Sequence, residues 1–236
     1  MSNSNFITVG EPQVPQPISR DSFIKWTYLH LCAAIAGFTV LSAALMATGI
    51  SGAMLKALSG HRYAWLAVMG AFMVVGWLAS TLADNSEGRK IQLSGLGLAV
   101  LAEALIFAPL LAMADAIAPG TISSAAIVTC ALLGGLSYVA FTSKGDFSFL
   151  GGVLKIGAFV ALGLIVASIL LGFKLGVWFS GAMILFAAAA VLYDTAQIIH
   201  HYPTDRPAGA ALRLFSSIAL LFWYVLRLLI DLSSKD

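Results

Sequence analysis

LYDTAQIIHHY, from Leu192 to Tyr202, sets an ionisable carboxylate inside an otherwise apolar run. Asp194 has Ser180 to Leu192 before it and Ile198 and Ile199 after it, so it reads as part of a membrane-spanning helix rather than a loop. A charge at that depth costs about 2.5 to more than 10 kcal/mol unless it is paired, hydrated or protonated. Asp194 is therefore the first candidate functional residue. The structural alternative is a hydrogen-bonded or ion-paired group that fixes helix packing.

The rest of the chain has the composition that such a helix needs. Of 236 residues, 60% are hydrophobic and only 10% charged, far from the proportions of soluble domains. These values describe a polytopic membrane protein whose main surroundings are the lipid bilayer. A net charge of +2 with scattered basic residues argues against a nucleic-acid partner. Cys32 and Cys130 fall inside apolar runs, where a thiol packs as a small hydrophobe, and no disulfide framework or metal site follows from two such residues.

Residues 1–22 are polar and contain Pro12, Pro15 and Pro17, so they cannot bury enough apolar surface to fold alone and are expected to form a flexible tail. They lack the charged start, apolar core and cleavage site of a secretory signal. Residues 23–232 read as one transmembrane domain and 233–236 as a short tail. About 20 apolar residues cross the hydrocarbon core. The expected spans are Trp26 to Ile50, Tyr63 to Leu82, Leu93 to Ala114, Ile122 to Thr142, Val153 to Leu171, Val177 to Ile199 and Ala211 to Ile230. The fold class is thus all-α with seven transmembrane helices. Gly, Pro and charged residues mark the breaks; Phe147 to Leu150 is apolar enough to begin the fifth span early.

Basic residues set the expected orientation. Threaded through seven spans, Arg20, Lys25, Arg89, Lys90, Lys144, Lys155, Arg206 and Arg213 share the N-terminal side, against Lys56, Arg62, Lys174, Arg227 and Lys235 opposite. Eight against five places the N-terminus in the cytoplasm.

Two carboxylates lie deep: Asp194 on the sixth span and Glu103 on the third. The other acids fall at helix ends or in loops, where Asp84 and its like are expected to be solvated or capping. Asp194, Gln197 and His201 stand at i, i+3 and i+7, one polar stripe on a helix. The seventh span returns with Arg213, Ser217, Tyr224 and Arg227 on its own stripe. Counted from the span ends, Asp194 and Ser217 both lie roughly 9 Å deep at 1.5 Å per residue, so they face each other across the hairpin. Lys155 or Arg213 is the expected counter-charge, snorkelling toward the surface. Glu103 has no polar partner on its own helix, and Pro109 beside it is readable as a kink alone. His200 and His201 read as interfacial and as poor metal ligands; no metal site and no cofactor is expected. No Ser-His-Asp set, HExxH or phosphate loop is present, so the chain is not expected to be an enzyme. A retinal protein needs a lysine within its last helix, and Lys235 lies beyond it.

FTSKGDFSFLGG at Phe141 to Gly152, VLYDTAQII at Val191 to Ile199 and ALRLFSSIALLFWYVLRLL at Ala211 to Leu229 together resemble the transmembrane Bax inhibitor motif (Bax inhibitor-1) family. The resemblance implies a bundle with the last helix central and the other six around it. It also implies one of the family's activities: a pH-sensitive calcium leak, cell-death regulation in eukaryotes, or, in bacteria, restraint of an ATP-dependent membrane protease. In better-understood members an aspartate on the sixth helix shares a proton with one on the seventh and closes the pore. Asp194 matches the first. Ser217 stands where many relatives carry the second, and Leu220 where they often carry Asn; Glu103 falls where a glutamate is common. Serine can hydrogen-bond Asp194 but cannot share its proton, so the resemblance implies an altered switch. The SSKD end lacks the basic tail of endoplasmic-reticulum members, which points to a bacterial cytoplasmic membrane.

Overall fold

The structure, a computed structural model, describes residues 19–60, 63–85, 88–143 and 147–233. Among them are eight helices: α1 (Arg20–Ala47), α2 (Ile50–Ser59), α3 (Ala64–Ala83), α4 (Arg89–Ile117), α5 (Thr121–Thr142), α6 (Phe149–Leu171), α7 (Val177–His200) and α8 (Pro207–Ser233). All but α2 are long and apolar enough to cross a membrane. The expected seven spans are present, and α2 is an addition.

Gly49 explains that addition. It takes a left-handed φ of 76°, which a residue with a Cβ rarely adopts, and it ends the first span before the expected Ile50. Ten residues then form α2, with Ser51, Met54, Leu55 and Leu58 turned inward at helical spacing and Ile50, Lys56 and Ala57 exposed. This short amphipathic helix packs on α4, α1 and α3.

Three helices begin earlier than their expected spans, α1 at Arg20 rather than Trp26, α4 at Arg89 rather than Leu93 and α8 at Pro207 rather than Ala211, while α6 begins at Phe149, the early start that the apolar Phe147 to Leu150 allowed. At α1 and α4 the apolar run ends at a charged side chain, whereas the backbone goes on hydrogen-bonding itself into the interface. At α1 the extra turn is capped: the Ser22 amide donates to Ser19 Oγ at 3.4 Å, and Asp21 sits in the first turn, where the helix dipole favours an acid. Arg20 to Ser22 therefore belong to the bundle and not to the tail. Residues 1–18 of that tail, and residues 61–62, 86–87, 144–146 and 234–236, lie outside the described residues.

Helix α8 is central. It packs against α1, α3, α4, α5 and α7, and its buried residues, among them Leu214, Phe215, Leu221 and Leu226, lie all around it. One part of the expectation needs correction. Helix α6 packs on α7 and shares with the central helix a small cluster of Ala161, Met183 and Tyr224, so five spans rather than six make the main contacts with α8. The middle of the bundle is aromatic: Phe107 of α4 stacks on Phe222 at 5.7 Å and meets Trp223 edge-on at 4.9 Å, while Phe38 of α1 meets Phe107 edge-on at 5.1 Å. Pairs in these geometries add to simple area burial. At the α3–α4 hairpin, a Cβ on Gly95 would run into the backbone of Ala83 and lie 2.6 Å from Ala79 O, so that close approach requires glycine.

Candidate functional site

Asp194 projects from α7 six residues before its end, and Ser217 comes from the facing turn of α8. The Ser217 hydroxyl donates to Asp194 Oδ2 at 2.5 Å. Ser216, one residue earlier, lies alongside Glu103 of α4, and Glu103 is buried, with 8% of its surface exposed. Consecutive helix residues point about 100° apart and differ by about 1.5 Å in height. Two adjacent serines thus reach two carboxylates on different sides of the central helix at nearly one depth. Glu103, without a partner on its own helix, finds one on α8.

The expected charge partners go elsewhere. Arg213 Nη2 meets Asp84 Oδ2 at 3.0 Å, where α3 ends, so its direct carboxylate partner is Asp84. It still contributes a longer-range field at Asp194. Lys155 is exposed on α6 and makes no ion pair with Asp194. His201 caps α7 and points outward with His200, their rings 6.1 Å apart. The Gln197 carbonyl accepts the amides of His201 and Tyr202, both at 2.8 Å, which closes the helix end. The polar stripe of α7 therefore turns from the bundle to the surface within two turns.

Asp84, expected to be a solvated or capping loop residue, is the C-cap of α3 and lies half-buried at the centre of a second polar cluster. Tyr202 Oη donates to Asp84 Oδ1, and Arg213 lies over the Tyr202 ring at 5.3 Å. Burial first, and then the Asp84 carboxylate, push the Tyr202 phenol well above the ordinary tyrosine range, so it remains a donor at neutral pH. Arg20 donates to Tyr202 O at 2.6 Å and to Ile198 O at 3.4 Å, satisfying carbonyls at the end of α7. Gln92, 1% exposed, bridges Asn85 O and Asp205 O, both at 3.0 Å. Gly209 makes room: a Cβ there would overlap Asp84 Oδ1 and stand 2.8 Å from Ala83 O and 2.9 Å from Tyr202 Oη. This latch joins α1, α3, α4, α7 and α8 at the face where α1 begins. The isolated Asp84 and the Pro207-to-Gly209 turn were its faint marks in the sequence.

Among the described residues no group of three or more His, Cys, Asp or Glu side chains is gathered to hold a metal ion. Cys32 and Cys130 are free and exposed on faces that meet lipid, rather than packed in the core.

A helical bundle with seven spans, a central terminal helix and two carboxylates set against it defines a polytopic α-helical membrane protein with an intramembrane polar site. The family model described as inhibitor of apoptosis-promoting Bax1 matches residues 20–234, and the chain belongs to this Bax inhibitor family. It is 26% identical over 226 residues to uncharacterized proteins of Neisseria meningitidis serogroups A and B, with 93% of this chain and 95% of each relative covered. An uncharacterized protein of Pseudomonas aeruginosa is 38% identical over 82 residues, 34% of this chain and 36% of its own length.

Proposed function

We propose that the protein is a cation leak channel, with calcium as the physiological ion, in a bacterial cytoplasmic membrane, its N-terminus facing the cytoplasm. The bacterial relatives and the basic excess on the N-terminal side support that placement. It carries out no catalytic step. The observation that carries the proposal is the 2.5 Å bond from Ser217 to Asp194, matched by Ser216 beside Glu103. Intramembrane carboxylates are costly and mark ion pathways. Here Asp194 accepts a hydrogen bond from one hydroxyl of α8 and Glu103 lies beside another. A small rotation or tilt of α8 would release both at once and leave two cation ligands facing a path along the central helix. The Ser217 hydroxyl holds Asp194 without a proton shared between acids, so the flux varies less with pH than in a paired-aspartate channel.

Proteoliposomes loaded with a calcium dye test this. Wild-type protein should admit calcium, and both Asp194→Ala and Glu103→Gln should change the rate. Unchanged flux in both variants sinks the proposal. A second reading, a non-conducting modulator of a membrane-bound ATP-dependent protease, is favoured by α6, whose outer face has Phe159 78% and Leu171 76% exposed and is free to meet another membrane protein. A complete lack of flux, with crosslinks from α6 to a protease in native membranes, would select it.

A further inference from the structure

At the N-terminal face, α1 and α4 run side by side in the same direction, and a cationic and aromatic cluster sits at their seam. The Arg89 guanidinium lies 4.7 Å over the Trp26 ring, so these two residues face each other across it. The residue before Trp26 and the residue after Arg89 are each turned by about 100° from the facing direction. Because the helices are parallel, those two rotations carry Lys25 and Lys90 to one and the same side of the seam. Both are exposed, which makes that side the outer, lipid-facing one.

Four further observations bear on what occupies this side. Lys25, Arg89 and Lys90 have no carboxylate partner among the described residues; the ion pairs of the same face use Arg206 and Arg213. The first turn of α4 is basic, and Gly88 supplies no side-chain cap, so among the described residues the Arg89 and Lys90 amides and both cations meet none of the negative charge that a helix start favours. His30, one turn deeper than Trp26 and 9% exposed, has a ring 6.0 Å from that of Trp26 and closes the inner side of the seam. Below the basic rim the seam is apolar and open: Leu29 and Leu101 are 56% and 45% exposed, and nothing lies within 4 Å of where a Gly97 Cβ would be.

We propose that the outer seam of α1 and α4 binds an anionic phospholipid, its phosphate held by Lys25, Arg89 and Lys90 beside Trp26 and an acyl chain lying along Leu29, Gly97 and Leu101. Positive charge, an interfacial tryptophan and an apolar track beneath match the three parts of such a lipid in order of depth. A soluble anion would use the rim and leave the track empty.

Trp26 makes the site measurable in the intact protein. Full-length protein is reconstituted with brominated phosphatidylglycerol or brominated phosphatidylcholine, and tryptophan quenching is compared. The anionic lipid should quench more, and the excess should vanish in Trp26→Phe. In Lys25→Gln/Lys90→Gln the preference should fall by about fivefold for each charge removed, while Lys56→Gln/Lys174→Gln on the opposite face keeps it. Should a variant misfold, the wild-type excess must still decline as sodium chloride rises. Equal quenching by the two lipids, an excess insensitive to salt, or equal loss in the opposite-face pair would overturn the proposal. So would inorganic phosphate abolishing the excess at an ionic strength matched with chloride, since the site would then be one for a soluble anion.

Discussion

The two polar regions of this molecule use a carboxylate in opposite ways. At the N-terminal face, Asp84 is met by a phenol and a guanidinium, with Arg20 and Gln92 tying down the neighbouring chain ends. That cluster joins five helices at the membrane surface, where water and salt reach part of it; the side chains of Arg213 and Asp84 are 56% and 29% exposed. Deeper in the bundle, Asp194 accepts from a hydroxyl and Glu103 lies beside one, with no full positive charge in direct contact. A carboxylate bound by several groups at once is a fastener. One held by a single neutral donor, within a helix hairpin, is released by a small movement of one helix, and this is why the mobile function is assigned to α8 and the fixed one to the latch.

The comparison can be broken most severely at Gly209. Gly209→Ala drives a methyl into Asp84 and Ala83 and should cost about 3 kcal/mol, at the upper end for overpacking, read as a fall in the thermal unfolding midpoint in detergent. A midpoint within error of wild type would mean that the latch does not hold the helices together. Next comes Ser217→Ala, which leaves Asp194 without its observed donor and should cost about 2 kcal/mol. This loss should be the same in low and high salt. Arg213→Gln should cost no more than about 1 kcal/mol, because a half-exposed pair is largely offset by solvent, and the loss should shrink with salt. If the salt dependences were reversed, the division into a surface fastener and a deep site would be wrong.

Tyr202→Phe gives the smallest effect and a pH signature. The folded-state phenol lies above its ordinary value, so the unfolded chain loses its proton first. The stability linked to Tyr202 is fully present below about pH 10 and declines above it as pH rises. Wild-type protein should therefore lose thermal stability more steeply above that pH than Tyr202→Phe, whose midpoint should be flatter there. Parallel profiles would contradict the placement of Tyr202 against Asp84.

How much of this was legible in the sequence follows from how local each cause is. The spans were readable because about 20 apolar residues are needed to cross lipid, and the pairing of Asp194 with Ser217 because only 23 residues and one turn separate them. Helix α2 was missed because ten residues with an inward Ser51 and an outward Lys56 carry no spanning signal. The helix starts were placed late because charged first turns such as Arg89-Lys90 continue the backbone helix past the end of the apolar run. The latch left only faint marks, and its members could not be matched to one another. Tyr202 and Asp84 are 118 residues apart, and Arg20 and Tyr202 are 182 apart, and nothing in one segment announces the other. That same distance misassigned Arg213, whose direct partner was sought on the neighbouring helix and lies on α3.

The central claim is that a serine in place of a second carboxylate beside Asp194 leaves a path closed by a hydroxyl rather than by a shared proton. Calcium flux into proteoliposomes, followed from about pH 6 to 8 where a coupled carboxylate pair titrates, tests it in wild-type protein and in Ser217→Asp. The account predicts a nearly flat profile for the wild type and a steep one, closing as the pair shares its proton, for Ser217→Asp. Equal flux across that range in both proteins would contradict it.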